Sequence, residues 1–295
     1  MRFNVDQDIS IAKSLEKSFY LDDKYYYLSL DKIFKKSWQF IGHKSQFLGN
    51  KIIPLTLLEK SINEPIVLTT KNDAYNVLSN VCTHRGHIIG QKKCNNKTLK
   101  CNYHGRSFDL SGKMLNMPGF KNVKNFPSEK DNLLKLPYFE WANFLFTSIN
   151  PEIDISSIIK DFKSRLRNYP IKKLKYNPNL SRTYDLDANW ALYCENYLEG
   201  LHVPFVHKGL NGDIDINSYQ TELLDNGVLQ YSDDKLGNVY AYYYWIFPNM
   251  MFNFYNWGLS INLVEPISIN QTRIKFLTYS LKDDMNTKSK IDELH

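Results

Sequence analysis

Two short strings hold the most reactive side chains of this 295-residue chain: Cys82-Thr83-His84 and, after sixteen further residues, Cys101-Asn102-Tyr103-His104. Each supplies one sulfur and one imidazole. Two soft thiolates suit one iron and two neutral histidines another, so the C-x-H…C-x-x-H pattern fits a [2Fe–2S] cluster whose irons differ in ligation. Replacing two thiolates by imidazoles removes negative charge and raises the reduction potential, which makes such a cluster a one-electron relay. The competing reading is a zinc site. Zinc loops usually pair cysteine with cysteine and histidine with histidine, whereas each string here mixes the two types. Gly86 and Gly105 suit the sharp loops that bring backbone N–H groups onto sulfur. Cys94 reads as a surface or packed residue.

A second constellation lies in CENYLEGLHVPFVHKGL, where Glu195, Glu199, His202 and His207 follow E-x3-E-x2-H-x4-H. Two histidines and a carboxylate from a remote segment are what a non-haem Fe(II) site needs, since the remaining positions stay open for O2 and water. His202 and His207 are the candidate ligands. Their separation of five does not suit one face of a regular helix. Leu192 to His207 is therefore expected to be helical until Pro204 interrupts it and brings the second imidazole round.

The string CTHRGH…CNYHGRSFDLSG resembles the cluster-binding domain of Rieske-type non-haem iron oxygenase large (alpha) subunits. ENYLEGLHVPFVHKGL resembles their iron-binding segment, especially in choline monooxygenases and bacterial ring-hydroxylating relatives, and the likeness covers almost the whole chain. Asn102 stands where the family usually has Pro, and Arg106 where it usually has Trp. Respiratory Rieske proteins carry an extra cysteine in each loop, where this chain has His87 and Tyr103.

The resemblance implies a [2Fe–2S] Rieske cluster on Cys82, His84, Cys101 and His104, and a mononuclear Fe(II) on His202 and His207. Glu199 falls on the acidic position that bridges the iron site to the Rieske histidine of a neighbouring subunit, and Glu195 and Asn196 on supporting positions. Electrons would come ultimately from NAD(P)H through a flavin- or ferredoxin-type reductase and pass through His104 and the Glu199 region. With O2 they would hydroxylate a small organic substrate, a methylated amine or an aromatic compound, in a homotrimer that brings cluster and iron of adjacent chains together. The family's third iron ligand is an Asp on a later helix, and the run SLKDD resembles the segment before it. That ligand is expected beyond His295 in a chain truncated at its C-terminus. Asp283, Asp284 and Asp292 read as solvated turn or helix-start residues. A Rieske-type electron-transfer protein without oxygenase activity is the alternative, and a zinc-stabilised binding module a third reading.

These groups need a scaffold of two kinds. Between Lys51 and Gly119 the apolar residues come in short runs (IIPLTLL, PIVLTT, YNVLSNV) separated by Asn, Gly and Lys, as in small antiparallel sheets. PYFEWANFLFTSIN is another strand-like run, and the helical pattern IDISSIIKDFKSRL after Pro151 marks a boundary. TYDLDANW predicts a strand. VYAYYYWIF, MMFNFYNWGLSINLV and TRIKFLTYSL predict a twisted antiparallel sheet folded round a helix or a ligand cavity. Together with the resemblance, these patterns imply an α+β fold class: an N-terminal arm over 1–45, an all-β Rieske domain over 46–150 and a helix-grip catalytic domain over 151–295.

Composition narrows the class of function. With 43% hydrophobic and 23% charged residues the chain reads as an ordinary globular protein. Its net charge of +6 is spread rather than gathered in a block, which speaks against nucleic acid as a partner. No run approaches a membrane span of about 20 apolar residues, and MRFNVDQDISIAKS lacks the apolar core of a secretory signal, so a cytoplasmic location is expected. Four cysteines in that setting argue for thiolate chemistry or burial rather than a disulfide framework.

Overall fold

The short apolar runs pair into small sheets between Lys36 and Ile153, one of two compact units in the computed structural model. The structure describes residues 3–206, 218–233, 236, 239–282 and 291. The other unit joins Met1–Lys35 to Asp154–His295.

The strands of the Lys36–Ile153 unit are β1 (Gln39–His43), β2 (Ile52–Leu57), β3 (Glu64–Lys71), β4 (Ala74–Ser79), β5 (Thr98–Lys100), β6 (Ser107–Asp109), β7 (Met114–Asn116), β8 (Lys135–Leu136), β9 (Tyr138–Trp141) and β10 (Phe144–Thr147). They form three antiparallel sheets with the orders β1-β10-β9, β2-β3-β4-β8 and β5-β6-β7. The run from Tyr138 to Asn150 is two strands rather than one. Ala142 and Asn143 take positive φ values of 49° and 73°, forming the two-residue turn that sets Trp141 opposite Phe144. Ile52, Val67, Leu78, Leu99, Phe108 and Leu133 form an apolar core with Cys82 and Cys101, which carries the two cysteine–histidine loops directly on packed side chains.

In the other unit α1 (Lys17–Leu21) and α2 (Asp23–Lys32) precede α3 (Ser156–Arg165), β11 (Lys175–Tyr176), β12 (Arg182–Leu186), α4 (Trp190–Tyr197) and α5 (Val203–Val206). Then come β13 (Gln220–Leu224), β14 (Gly227–Asp233), β15 (Val239–Ile246), β16 (Met250–Tyr255), β17 (Gly258–Ser268) and β18 (Gln271–Ser280). The sheet has eight strands in the order β11-β18-β17-β16-β15-β14-β13, with β12 also paired to β18. Strand alternation sends its aromatic side chains to two faces. On one, Tyr244, Phe252 and Phe254 surround Phe162 of α3, with ring centroids 4.6, 5.9 and 5.5 Å away. On the other, Asn253 accepts a 2.6 Å hydrogen bond from Tyr197 Oη, and Cys194 Sγ lies 3.4 Å from the Pro248 carbonyl, so α4 is held in the grip of the sheet.

Asn189 starts α4 by accepting from the Ala191 N–H at 3.0 Å. Its amide also donates to the Ile269 carbonyl, fixing the helix to the sheet. The first 35 residues brace the same helix. Phe34 and Phe19 pack edge-on against Trp190, and Tyr26 Oη donates to the Ile267 carbonyl. Residues 1–45, read as one arm, thus divide between the two units, because β1 pairs with β10 while α1 packs on α4 and α2 is hydrogen-bonded to β17. Among the described residues no helix is long and apolar enough to cross a membrane.

Phe162 is fully buried at the centre of the α3 contact. Phe162→Ala is expected to cost about 3–5 kcal/mol, read as a lower urea midpoint with an unchanged m-value.

Candidate metal centres

The first cysteine–histidine string is closed by the antiparallel bridge Val81↔Ile88, and the second by the pair Lys100↔Ser107 at the end of the β5–β6 hairpin. In both, the closing residues are seven positions apart. The backbone hydrogen bonds repeat as well: Cys82 N–H donates to His87 O and Gly86 N–H to Cys82 O, while Cys101 N–H donates to Arg106 O and Gly105 N–H to Cys101 O, all at 2.8–3.0 Å. Gly86 and Gly105 both lie in the left-handed region, at φ +70° and +73°, where a Cβ is disfavoured. Two copies of one loop therefore face each other, and only the histidine shifts, from the third position after the closing residue to the fourth.

Each cysteine points inward and each histidine outward. Cys82 and Cys101 are 3% and 1% exposed, which removes water from the sulfurs, whereas His84 is half-buried and His104 exposed. The two imidazoles present Nδ1 to Nδ1 at 3.2 Å, and the Tyr103 ring lies over His104 with centroids 3.9 Å apart. Burial pushes the Cys82 thiol up, the backbone N–H of His84 acts against this, and the neighbouring Cys101 adds to it. Two sulfurs crowded in an apolar core, opposed by two convergent imidazole nitrogens, fit the donor set of a two-iron cluster. Among the described residues no three His, Cys, Asp or Glu side chains gather as a site for a single ion. A [2Fe–2S] cluster asks for only two protein ligands at each iron.

At the second constellation α4 ends at Tyr197, well before Pro204, and α5 begins at Val203 with the proline in its first turn. The helix breaks earlier than its spacing suggests because Glu199 takes over the backbone donors. Its Oε2 accepts from the N–H groups of Leu201 and His202, as a capping residue does. Pro in a first helical turn costs no hydrogen bond. The other carboxylate oxygen, Oε1, lies 2.5 Å from His202 Nδ1. Desolvation opposes the charge on Glu199, but the hydrogen bonds from His202 and from the Leu201 N–H hold its carboxyl below the usual range.

Glu195, one turn earlier, accepts from Tyr20 Oη at 2.6 Å, and Asn196 is exposed. Tyr219, unflagged by any spacing, lies over Gly200, where a Cβ would come within 2.9 Å of the ring. Its hydroxyl donates to Gln230, whose amide donates to the Tyr197 carbonyl. His207, Asp283, Asp284 and Asp292 lie outside the described residues.

Residues 37–127 match the Rieske [2Fe-2S] domain, and residues 175–223 the catalytic domain of ring-hydroxylating alpha subunits. The chain joins a Rieske domain to a ring-hydroxylating catalytic domain. It is homologous to choline monooxygenase of Arabidopsis thaliana, with 27% identity over 92% of this chain and 70% of that protein. It is also homologous to the carnitine monooxygenase oxygenase subunit of Escherichia coli K12, with 29% identity over 82% of this chain and 67% of that protein. Among solved structures, the quaternary ammonium Rieske monooxygenase CntA in complex with its substrate L-carnitine shares the fold. Its TM-score is 0.78 at 22% identity, over 94% of this chain and 78% of the other. The chain spans from 64% of the length of the Beta vulgaris choline monooxygenase to 70% of the Arabidopsis one.

The Rieske domain implies the [2Fe–2S] cluster and the catalytic domain a mononuclear iron. In the Rieske domain the two glycines should respond differently to a methyl group. At Gly86 a Cβ meets nothing within 4 Å, so Gly86→Ala costs only the backbone strain of about 1–2 kcal/mol. At Gly105 a Cβ would lie 3.1 Å from Pro118 Cγ, so Gly105→Ala should cost more, compared by chemical denaturation of the two variants.

Proposed function

We propose that this chain is the oxygenase subunit of a Rieske monooxygenase that hydroxylates a small methylated amine. The observation that carries the reading is the Glu199–His202 pair on the turn after α4. A carboxylate on Nδ1 sets the tautomer and orientation of an imidazole that binds metal through Nε2. An electron carrier would have no use for such a residue pair in a second unit. Cys82, Cys101, His84 and His104 would hold the cluster, and His202 and His207 the mononuclear iron. With both bound, the cluster would supply single electrons and the iron open positions for O2.

The residues have separable tasks. Glu199 orients His202 and places a negative charge beside it, next to the exposed edge of α4 where a neighbouring subunit's cluster would approach in a homotrimer. Tyr219 and Gln230 pin the Gly200 turn that carries this pair. The net reaction takes a substrate C–H bond, O2, two electrons and two protons to an alcohol and water. The electrons come from NAD(P)H through a flavin- or ferredoxin-type reductase.

The substrate class follows from the relatives' chemistry and from the aromatic residues on the α4 side of the sheet. Tyr255 and Trp257 stack at 5.0 Å and 12°, and Tyr243 meets Tyr255 edge-on at 5.8 Å. These rings lie in a buried cluster with Leu180, Ala241 and Ile291, and an outer face of the stack that met a bound substrate would attract a quaternary ammonium group by cation–π interaction. By contrast, Tyr244, Phe252 and Phe254 are committed to the packing of α3.

Iron, sulfide and zinc analysis with visible and EPR spectra tests the assignment. The expected result is a [2Fe–2S] signal with additional iron, the signal lost in Cys101→Ser, and only the additional iron lost in His202→Ala. A [2Fe–2S] signal with no additional iron would support the electron-carrier reading, and zinc alone would contradict both.

A further inference from the structure

The last residue of the second cluster loop is Arg106, only 3% exposed. A buried guanidinium is costly unless its donors are met, and here they are met by the other loop together with Asp131 and Met117. Nη1 donates to Thr83 Oγ1 at 2.7 Å, Nη2 to Asp131 Oδ1 at 3.1 Å and Nε to Met117 Sδ at 3.4 Å, while the Phe126 ring centroid lies 5.4 Å from Cζ. Thr83 sits between Cys82 and His84 and itself donates to the Asp131 carbonyl at 2.8 Å. The guanidinium therefore clasps the midpoint of the first loop from the end of the second. The charges of the ion pair are not screened alike: the Arg106 side chain is 4% exposed and that of Asp131 is 20% exposed. Water weakens the field of the anion more than that of the cation.

We propose that Arg106 is a positioning residue that sets the reduction potential of the cluster: it ties the two loops together and leaves an incompletely screened positive charge beside them. One electron from the reductase takes one iron from ferric to ferrous, no bond forms or breaks, and the cluster becomes more negative by one charge. A neighbouring buried cation favours that reduced form, since net charge and solvent exposure are among the factors that set such potentials. The inference rests on the cluster being seated between these loops.

Redox titration of the intact chain with its cluster assembled, followed by EPR of the reduced state, tests it. A wild-type [2Fe–2S] signal checks the underlying reading first, so its absence overturns that reading rather than this one. Given the signal, Arg106→Gln should reduce the equilibrium constant for reduction about tenfold, a fall of about 59 mV for one electron. Arg106→Lys, which keeps the charge but not the fork, should stay close to wild type. Asp131→Asn, which removes the better-solvated anion, should shift the midpoint upward. Opposite shifts from the two partners are not what loosened packing would give. Unchanged midpoints, shifts of the same sign, or a fall in Arg106→Lys as large as in Arg106→Gln would overturn the proposal. Should Arg106→Gln fail to retain a cluster, a midpoint that does not rise in Asp131→Asn overturns it alone.

Discussion

The pairings Val81↔Ile88 and Lys100↔Ser107 close two loops of equal length over one apolar core. Equal closure lets the loops repeat the same backbone hydrogen bonds, bury one sulfur apiece and turn one imidazole apiece outward. Were one loop a residue longer, its cysteine would leave the core or its histidine would lose the partner nitrogen 3.2 Å away. The division of labour follows from burial. Sulfur sits where water is excluded, and imidazole sits toward the surface.

In the catalytic domain one carboxylate does two jobs at once. Glu199 accepts from the backbone N–H groups of Leu201 and His202, in the turn between α4 and α5, and holds the ring of His202 by Nδ1. Local folding and the orientation of the proposed iron ligand are thereby one event, supported by Tyr219 and Gln230 and, through Trp190, by the first 35 residues. The eight-stranded sheet supplies the rigid floor. Its α3 face is filled by aromatic packing, and its α4 face keeps buried polar groups such as Asn253 and Gln230.

The metal chemistry was legible in the sequence because ligand type and spacing are local properties, and the strand-rich layout was legible because β-branched and aromatic runs were interrupted by turn residues. The two loops already read as near-copies in the sequence, but the equal closing pairs that make them so were not legible there, since pairing depends on the fold. The helix break was placed at Pro204 because proline is the familiar breaker, whereas a glutamate side chain captured the backbone first. The run after Pro137 hid a hairpin, as Ala-Asn is a weak turn signal beside Asn-Gly. Tyr20, Tyr219 and Gln230 carry no motif at all. Their contacts with Glu195, Gly200 and Tyr197 join residues distant in sequence, and only the sheet register and the packing of α4 bring them together.

The central claim is that two histidines, one from each matched loop, share one iron of the cluster while the buried cysteines hold the other. Pulsed EPR of the reduced chain grown with nitrogen-15 histidine addresses it directly. The account predicts couplings from two histidine nitrogens, one of which disappears in His84→Cys and the other in His104→Cys. A reduced [2Fe–2S] spectrum without histidine nitrogen couplings would contradict it.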